Sequence, residues 1–415
     1  LVVRIAYSLD SKGTNFVLFD VAIVGASSSG LYAAALLAHA GRRVAVFERR
    51  EDIAPERRTL IITPHLARLM PDMPADAVLH QTSVMSVVTP NAHCDVTLNE
   101  ADLIIERGQM TRALEQRARA AGAQIFCGHR FRGLHPDPDG VALTLDTAAG
   151  TRQVCARALI GADGITSAVA RAAQLPLPPT VPIIQAEVAL PPGWNPNVTR
   201  VWFDTESTRF FYWLIPESAT HGVAGLIGDD SNAITALLDR FLAQHSLHPL
   251  AYQASRVALY RPGLKPWTHV GTAPVLLIGD AAGQVKVTTV GGSVTGFWGA
   301  EAAARSLLHG TPYAEALRPL HAELALHWWL RLLIERLDNA GYDRLVHHVT
   351  HPVRQFLSRY NRDQMAQHIW QLLFLQPRFV PLLLRLLQAR RARTGGSVPA
   401  APPQPAPYDI VGERA

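Results

Sequence analysis

Two textures of hydrophobic patterning alternate along the chain. The first is plain at residues 20–48, where Val21-Ala22-Ile23-Val24 and Val44-Ala45-Val46-Phe47 are unbroken apolar runs. Runs of this kind suit strands buried on both faces, as in a parallel sheet. Residues 31–40 between them form an apolar helix that stops at Gly41, a usual helix terminator. Strand, small-residue turn, helix and strand make one βαβ unit. The same texture predicts a helix over 107–122, ended by Gly122, and strands at 123–127 and 141–145 on either side of Pro136-Asp137-Pro138-Asp139-Gly140. Buried strands follow at 158–160 and 275–278, the second leading through a glycine-rich turn into a helix through Ala300 to Leu308.

The second texture runs from about 180 to 265. Short runs rich in Val, Ile, Phe, Tyr and Trp alternate with Pro, Gly and Asn, the strongest being residues 209–216. This predicts an antiparallel sheet with one helix over 231–243. From 314 to 393 the pattern is helical and arginine-rich, and 394–408 is rich in Gly, Pro and Ala, which predicts a disordered tail.

Composition narrows the function classes. With 48% hydrophobic and 18% charged residues, the 415-residue chain has enough apolar content for two or three domains without staples. The net charge is +5, and all but Lys12, Lys265 and Lys286 of the 39 basic residues are arginine. No long basic run or aromatic-interleaved basic stripe is present, which argues against nucleic acid. Anionic cofactor phosphates or an anionic membrane surface suit the charge better. Cys94, Cys127 and Cys155 are odd in number and far apart, so neither a disulfide framework nor a structural zinc site is expected, and a cytoplasmic location fits. Glycine and serines break the apolar stretch 21–40, so it predicts no membrane span, and no signal peptide is visible.

Three strand-end motifs carry the chemistry. Gly25-Ala26-Ser27-Ser28-Ser29-Gly30 sits between the first strand and its helix. Gly25 permits the tight turn and Gly30 close helix packing, while the helix N-terminus offers free N–H groups to a pyrophosphate. Ser27 replaces the usual middle glycine. Glu48, at the end of the second strand, is placed to accept hydrogen bonds from ribose hydroxyls. A packing turn with a surface glutamate is the plain alternative. The second motif is Ile160-Gly161-Ala162-Asp163-Gly164-Ile165-Thr166-Ser167, followed by Arg171, and the third is Ile278-Gly279-Asp280-Ala281-Ala282-Gly283. Each aspartate can accept from a ribityl hydroxyl or a phosphate-bound water. Taken singly, each is better explained as a turn stabiliser; three strand-end glycine motifs in one chain argue against coincidence.

The order GxxxxG…E, GADGxxS…R and GDAAG over about residues 20–310 resembles the FAD-binding superfamily of para-hydroxybenzoate hydroxylase-like monooxygenases, geranylgeranyl reductases and flavin-dependent halogenases. The resemblance implies an α/β fold: a Rossmann-type FAD-binding domain with a parallel sheet, an interleaved antiparallel-sheet substrate domain and a helical C-terminal segment. The expected divisions are an unassigned N-terminal extension (1–18), the FAD-binding domain in two parts (19–180 and 269–312), the substrate domain (181–268), the helical segment (313–393) and the tail (394–415). By the same resemblance FAD is the cofactor. Gly25, Ser27, Gly30 and Glu48 hold its ADP half, Ser29 and Arg49 are further cofactor contacts, and Arg107 lies near the phosphates. Asp163 belongs to the family's Asp-Gly element. Asp280 holds the ribityl chain, and Gly291 and Gly292 offer N–H groups to the pyrimidine edge.

Within the superfamily, Gly283-Gln284-Val285-Lys286-Val287-Thr288-Thr289-Val290-Gly291-Gly292 is similar to the stretch GQVKPTTGGG of archaeal-type geranylgeranyl reductases, with Val287 and Val290 as departures. Hydroxylases usually carry histidine where Gly283 stands. Residues 211–216 resemble the YxWxFP element of the reductases and the WxWxIP element of halogenases. No lysine occurs between Lys12 and Lys265 to serve a halogenase as its relaying amine, and residues 49–70 lack the cysteine of some reductases. The expectation is therefore a geranylgeranyl reductase-like enzyme moving a hydride between flavin N5 and an apolar, isoprenoid-type substrate. The alternatives are an FAD monooxygenase acting on a small apolar or aromatic substrate, and a non-catalytic FAD protein on a membrane. Phe211, Tyr212, Trp213, Thr288 and Thr289 are expected around the substrate, with Tyr212, Thr288 and Thr289 as candidate proton donors; core packing is the plain reading of the aromatic run. No second dinucleotide motif is present, so the reductant, NAD(P)H or a ferredoxin-type donor, is expected to bind transiently. Trp328, Trp329, the leucine-rich runs 372–375 and 382–387 and the arginines at 378, 385, 390, 391 and 393 suit a helical cap, a dimer interface or a peripheral membrane patch. His347, His348 and His351 make no recognisable metal set.

Overall fold

A computed structural model describes residues 7–9, 15–53 and 57–360, together with 368, 371, 374 and 375. The tail 394–415, the run 382–387 and the arginines from 378 onward lie outside the described residues.

The βαβ unit nucleates a six-stranded sheet in the order Trp267–Val270, Ala273–Leu277, Leu159–Gly161, Val21–Val24, Val44–Phe47, Gln124–Phe126. All neighbours are parallel except the first pair. All four residues of Val21–Val24 and of Val44–Phe47 are buried, because each face carries its own layer. On one face the helices Ser28–His39, Arg107–Ala120 and Ser293–His309 pack in a cluster centred on Leu31, Leu114 and Phe297. On the other lies a five-stranded sheet, ordered Tyr7–Leu9, Asn15–Phe19, Gly150–Ala156, Gly140–Thr147, Arg130–Asp137, whose Val141, Leu143 and Leu145 fill the second cluster. Two of its strands come from residues that the sequence left unassigned.

Helix-to-helix closeness near the turn depends on small residues. A Cβ on Gly296 would sit 2.4 Å from Ser29 Oγ. The next residue, Phe297, stacks on Tyr32 with centroids 4.4 Å apart, worth about 0.5–1.5 kcal/mol beyond the area buried. The Tyr32 hydroxyl donates to Glu301 Oε1; burial, reinforced by that carboxylate, pushes its pKa up to about 12.

The second texture builds an eight-stranded sheet ordered His248–Ala258, Thr180–Ala189, His221–Ile227, Tyr212–Pro216, Val198–Trp202, Val78–Val88, His93–Glu106, Thr59–Ile62. It is mixed rather than wholly antiparallel: Val198–Trp202 runs parallel to Val78–Val88. It also takes three strands from 59–106, within the stretch 19–180 expected to belong to the FAD-binding domain, so the two layers are interleaved more deeply than the boundary at 181 suggests. The helix Ile234–Gln244 covers the outer face. The inner face turns Phe211, Trp213 and Ile215 towards a cavity. Beyond it, helices run from Tyr313–Ala316 through Arg318–Ile334 and Asn339–His347 to His351–Arg359. Among the described residues no helix is long and apolar enough to cross a membrane.

Candidate functional site

A cavity of about 1330 Å³ runs from the glycine turn to the inner face of the eight-stranded sheet. Every residue singled out above as a cofactor or substrate contact borders it except Gly30 and Tyr212.

At the turn end, Gly25 has φ +101°, and a Cβ there would lie 2.5 Å from Ala162 O. Only glycine fits both the conformation and the space. Ser27 is the N-cap of the helix Ser28–His39, its Oγ accepting from Gly30 N at 3.2 Å. The serine that departs from the middle glycine is therefore turned to the helix it starts, where capping stabilises it by ~1 kcal/mol. Gly30 supports from behind: a Cβ would lie 2.3 Å from Gly25 O. The cavity thus meets a helix start with its partial positive charge.

Glu48 accepts from Ala26 N at 2.9 Å through Oε2 and from Arg50 N at 3.0 Å through Oε1. A carboxylate has about four lone-pair sites, so two bonds fix its orientation and leave acceptor capacity facing the cavity, as ribose hydroxyls require.

Asp163 has another employment. Its Oδ1 accepts from Ser167 Oγ at 2.6 Å, and its Oδ2 from the amides of Ala168 at 2.6 Å and Val169 at 3.1 Å. It locks the start of the helix Ala168–Ala172, which is the turn-stabilising alternative, although it stands on the cavity wall. Burial pushes its carboxyl up, against the pull of those donors. Asp280 also stands on the cavity wall. Burial pushes its carboxyl up as well, and the charge of Arg107 opposes that.

The loop after Asp280 is held from within. Gly283 has φ +65° and a Cβ there would lie 2.9 Å from Pro178 Cβ, so a side chain at this position would press on Pro178. Gln284 Oε1 accepts from Gly279 N at 2.7 Å, and Thr295 Oγ1 donates to Gln284 O at 2.5 Å. Lys286 N donates to Gly291 O at 3.1 Å, closing the loop. Gly291 and Gly292 then lie on the cavity wall at the start of the 17-residue helix Ser293–His309. Thr289 Oγ1 is buried on that wall without a hydrogen-bond partner among the described residues. An unpaired hydroxyl of this kind costs free energy until a ligand satisfies it. A spare carboxylate at Glu48, a carboxyl at Asp280, a helix start at each of two turns and an orphaned hydroxyl together fit a molecule with ribose, phosphate, polyol and ring edges.

At the far end the wall is apolar. Phe211, Trp213 and Ile215 border the cavity, with ring centroids of Phe211 and Trp213 6.2 Å apart. Tyr212 does not join them. It stacks on Phe241 of the outer helix at 4.6 Å and 15°, because neighbours on a strand point to opposite faces. Tyr212 is thus a core residue and drops out as a proton donor. Thr288 stays, with its Oγ1 2.5 Å from His327 Nδ1, and His327 Nε2 lies 3.2 Å from Glu323 Oε1. Neither His327 nor Glu323 was singled out from the sequence; the signal was there as a carboxylate and an imidazole four apart on a leucine-rich helix. Among the described residues no three His, Cys, Asp or Glu side chains converge as metal ligands.

A family model described as FAD binding domain matches residues 19–310. The digeranylgeranylglycerophospholipid reductase 2 of Methanopyrus kandleri is 29% identical over 295 residues, 66% of this chain and 73% of that protein. The geranylgeranyl diphosphate reductase of Rhodobacter capsulatus is 26% identical over 309 residues, 71% of this chain and 77% of that one. In fold, the chain is similar to a geranylgeranyl bacteriochlorophyll reductase-like protein of Thermoplasma acidophilum, with a TM-score of 0.76 at 20% identity over 89% of this chain and 99% of that chain. The cofactor is FAD, the enzyme is an FAD-dependent oxidoreductase, and the chain belongs to the FAD-binding domain family.

Proposed function

We propose that this enzyme is a reductase acting on an apolar, isoprenoid-type chain. The observation that carries the reading is one continuous cavity of about 1330 Å³, larger than the roughly 300–1,000 Å³ of an ordinary ligand pocket. One end has the polar fittings of the cofactor; the other is walled by Phe211, Trp213 and Ile215. FAD, when bound, supplies the hydride chemistry. The protein's own part is to orient the cofactor through Glu48, Asp280 and the two helix starts, and to hold a flexible hydrocarbon against the ring with water excluded. The names of the relatives from Methanopyrus kandleri and Rhodobacter capsulatus support the same substrate class.

The test is a pair of anaerobic and aerobic single-turnover experiments on dithionite-reduced holoprotein. Geranylgeranyl diphosphate in detergent micelles is expected to reoxidise the flavin without oxygen and to emerge with fewer double bonds. An oxygen-dependent reaction that leaves an oxygen atom in the product overturns the reading in favour of a monooxygenase. NAD(P)H and reduced ferredoxin, offered in place of dithionite, identify the donor.

A further inference from the structure

Thr288 stands on the loop that leads into the helix Ser293–His309 and borders the cavity. Behind it, His327 and Glu323 lie one turn apart on the helix Arg318–Ile334. The hydroxyl is 2.5 Å from His327 Nδ1, and His327 Nε2 is 3.2 Å from Glu323 Oε1. His327 is 4% exposed and Glu323 9%. One member of this three-group chain is therefore on the cavity wall and the other two are sealed inside.

Hydrogen-bond polarity follows from the groups themselves. An ionised carboxylate only accepts, so Nε2–H donates to Glu323. A neutral ring then accepts from the Thr288 hydroxyl at Nδ1, and a protonated ring donates to it. The proton between Thr288 and His327 can therefore move in either direction while Glu323 holds the ring. This is the hydroxyl–imidazole–carboxylate logic of general acid–base sites, with the two ring nitrogens exchanged. Packing alone gives no reason for it. Leu320 and Leu324 show that the same helix buries apolar side chains, and a buried polar pair costs more than an apolar one unless fully bonded.

We propose that Thr288, backed by His327 and Glu323, exchanges the substrate's proton. The proposal rests on the hydride-transfer reading above. Saturating a carbon–carbon double bond takes a hydride at one carbon and a proton at the other. FAD, bound and reduced, would supply the hydride and with it the two electrons that the double bond gains. The proton leaves Thr288 Oγ1 as the second C–H bond forms. Thr288 recovers a proton from His327 Nδ1, and after product leaves, the ring is reprotonated through Thr288 itself, whose hydroxyl meets water on the cavity wall. Thr288 is then the catalytic residue, with His327 and Glu323 as positioning residues behind it.

The test uses FAD-loaded full chain, wild type, Thr288→Val and Thr288→Ser, reduced with dithionite and mixed anaerobically with geranylgeranyl diphosphate in H₂O and D₂O. Valine keeps the shape and removes the hydroxyl; serine returns it. Thr288→Val is expected to lower the limiting rate of flavin reoxidation roughly 10²-fold or more, to abolish the solvent isotope effect and to leave the half-saturating acceptor concentration unchanged. Thr288→Ser is expected to restore rate and isotope effect. In ¹⁵N-histidine spectra of the same holoproteins, the His327 Nδ1 resonance should move in Thr288→Val and return in Thr288→Ser. A Thr288→Val protein as fast as wild type, with the same isotope effect, overturns the proton role and leaves the hydride reading standing. An Nδ1 resonance indifferent to Thr288→Val overturns the chain itself. A wild type that the acceptor does not reoxidise overturns both readings together.

Discussion

The Ala26 amide donates to Glu48 Oε2 over 2.9 Å, so the glycine turn and the end of the neighbouring strand are fixed to each other before any cofactor arrives. Glu48→Gln keeps one acceptor oxygen for that bond but places an amide nitrogen where the other oxygen accepts from Arg50 N. A hydrogen bond to a charged group is worth about 1.5–3 kcal/mol. FAD affinity is therefore expected to fall roughly 10- to 100-fold, read by quenching of flavin fluorescence on titration. Unchanged affinity would show that Glu48 serves the turn alone.

Asp280 gives the apoprotein a pH dependence of definite sign. Burial raises its carboxyl above the ordinary 3.8, so the folded chain holds this proton more tightly than the unfolded chain. Its contribution to stability is then greatest below the ordinary value and is lost as pH rises through the raised one. Asp280→Asn removes the charge and keeps the shape. The melting temperature of the apoprotein is expected to rise at neutral pH and to stay level near the unfolded-state value, while FAD binds more weakly. Identical melting profiles for the two apoproteins would sink this assignment.

The glycine turn, its helix and the two flanking strands were legible in the sequence because each depends on its immediate neighbours. Gly25 is dictated by its own φ and by one carbonyl. The strand Val78–Val88 was not legible because it is long and mostly half-buried, so neither a continuous apolar run nor a clean alternation marks it; His93–Glu106 does alternate exposed and buried residues over its first five positions, a signal passed over in the sequence. The inward face of Tyr212–Pro216 was hidden for the opposite reason. All five residues are buried, one side by the outer helix and the other by the cavity wall, and pattern alone does not say which is which. The contact between Thr288 and His327 spans 39 residues and depends on how a later helix docks, which no local rule encodes.

Val290 occupies a left-handed conformation, φ +51°, at the position where the resemblance places a glycine. That conformation costs a β-branched residue about 1–2 kcal/mol, roughly what glycine would lose through its freer unfolded chain and its missing side chain. Val290→Gly is expected to stay within about 1 kcal/mol of wild type in urea unfolding of the apoprotein. Val287→Gly, three residues earlier and 3% exposed, is expected to cost about 2–4 kcal/mol. Equal losses at the two positions would mean that the strain at Val290 is offset by its packing against the Trp213 cluster.

Tyr212 and Trp213 are adjacent in sequence and face opposite layers, which separates stability from substrate handling in one pair of substitutions. Tyr212 is 4% exposed and stacked on Phe241; Tyr212→Ala opens a hole in the outer core and is expected to cost about 3–5 kcal/mol, with little change in how bound flavin meets its acceptor. Trp213 borders the cavity, and its ring occupies the space that a Cβ on Gly225 would enter, with Cζ2 2.4 Å away. Trp213→Ala removes the bulkiest apolar side chain among Phe211, Trp213 and Ile215 and leaves Glu48, Asp280 and both helix starts in place. FAD affinity is expected to hold within about threefold, since 1.4 kcal/mol is tenfold and none of those contacts changes. The half-saturating concentration of a polyprenyl acceptor is expected to rise at least tenfold, because an apolar ligand loses about 25 cal/mol for each Å² of contact removed. Loss of FAD with the acceptor response intact would place Trp213 against the cofactor rather than the hydrocarbon and reverse the assignment of the two ends of the cavity.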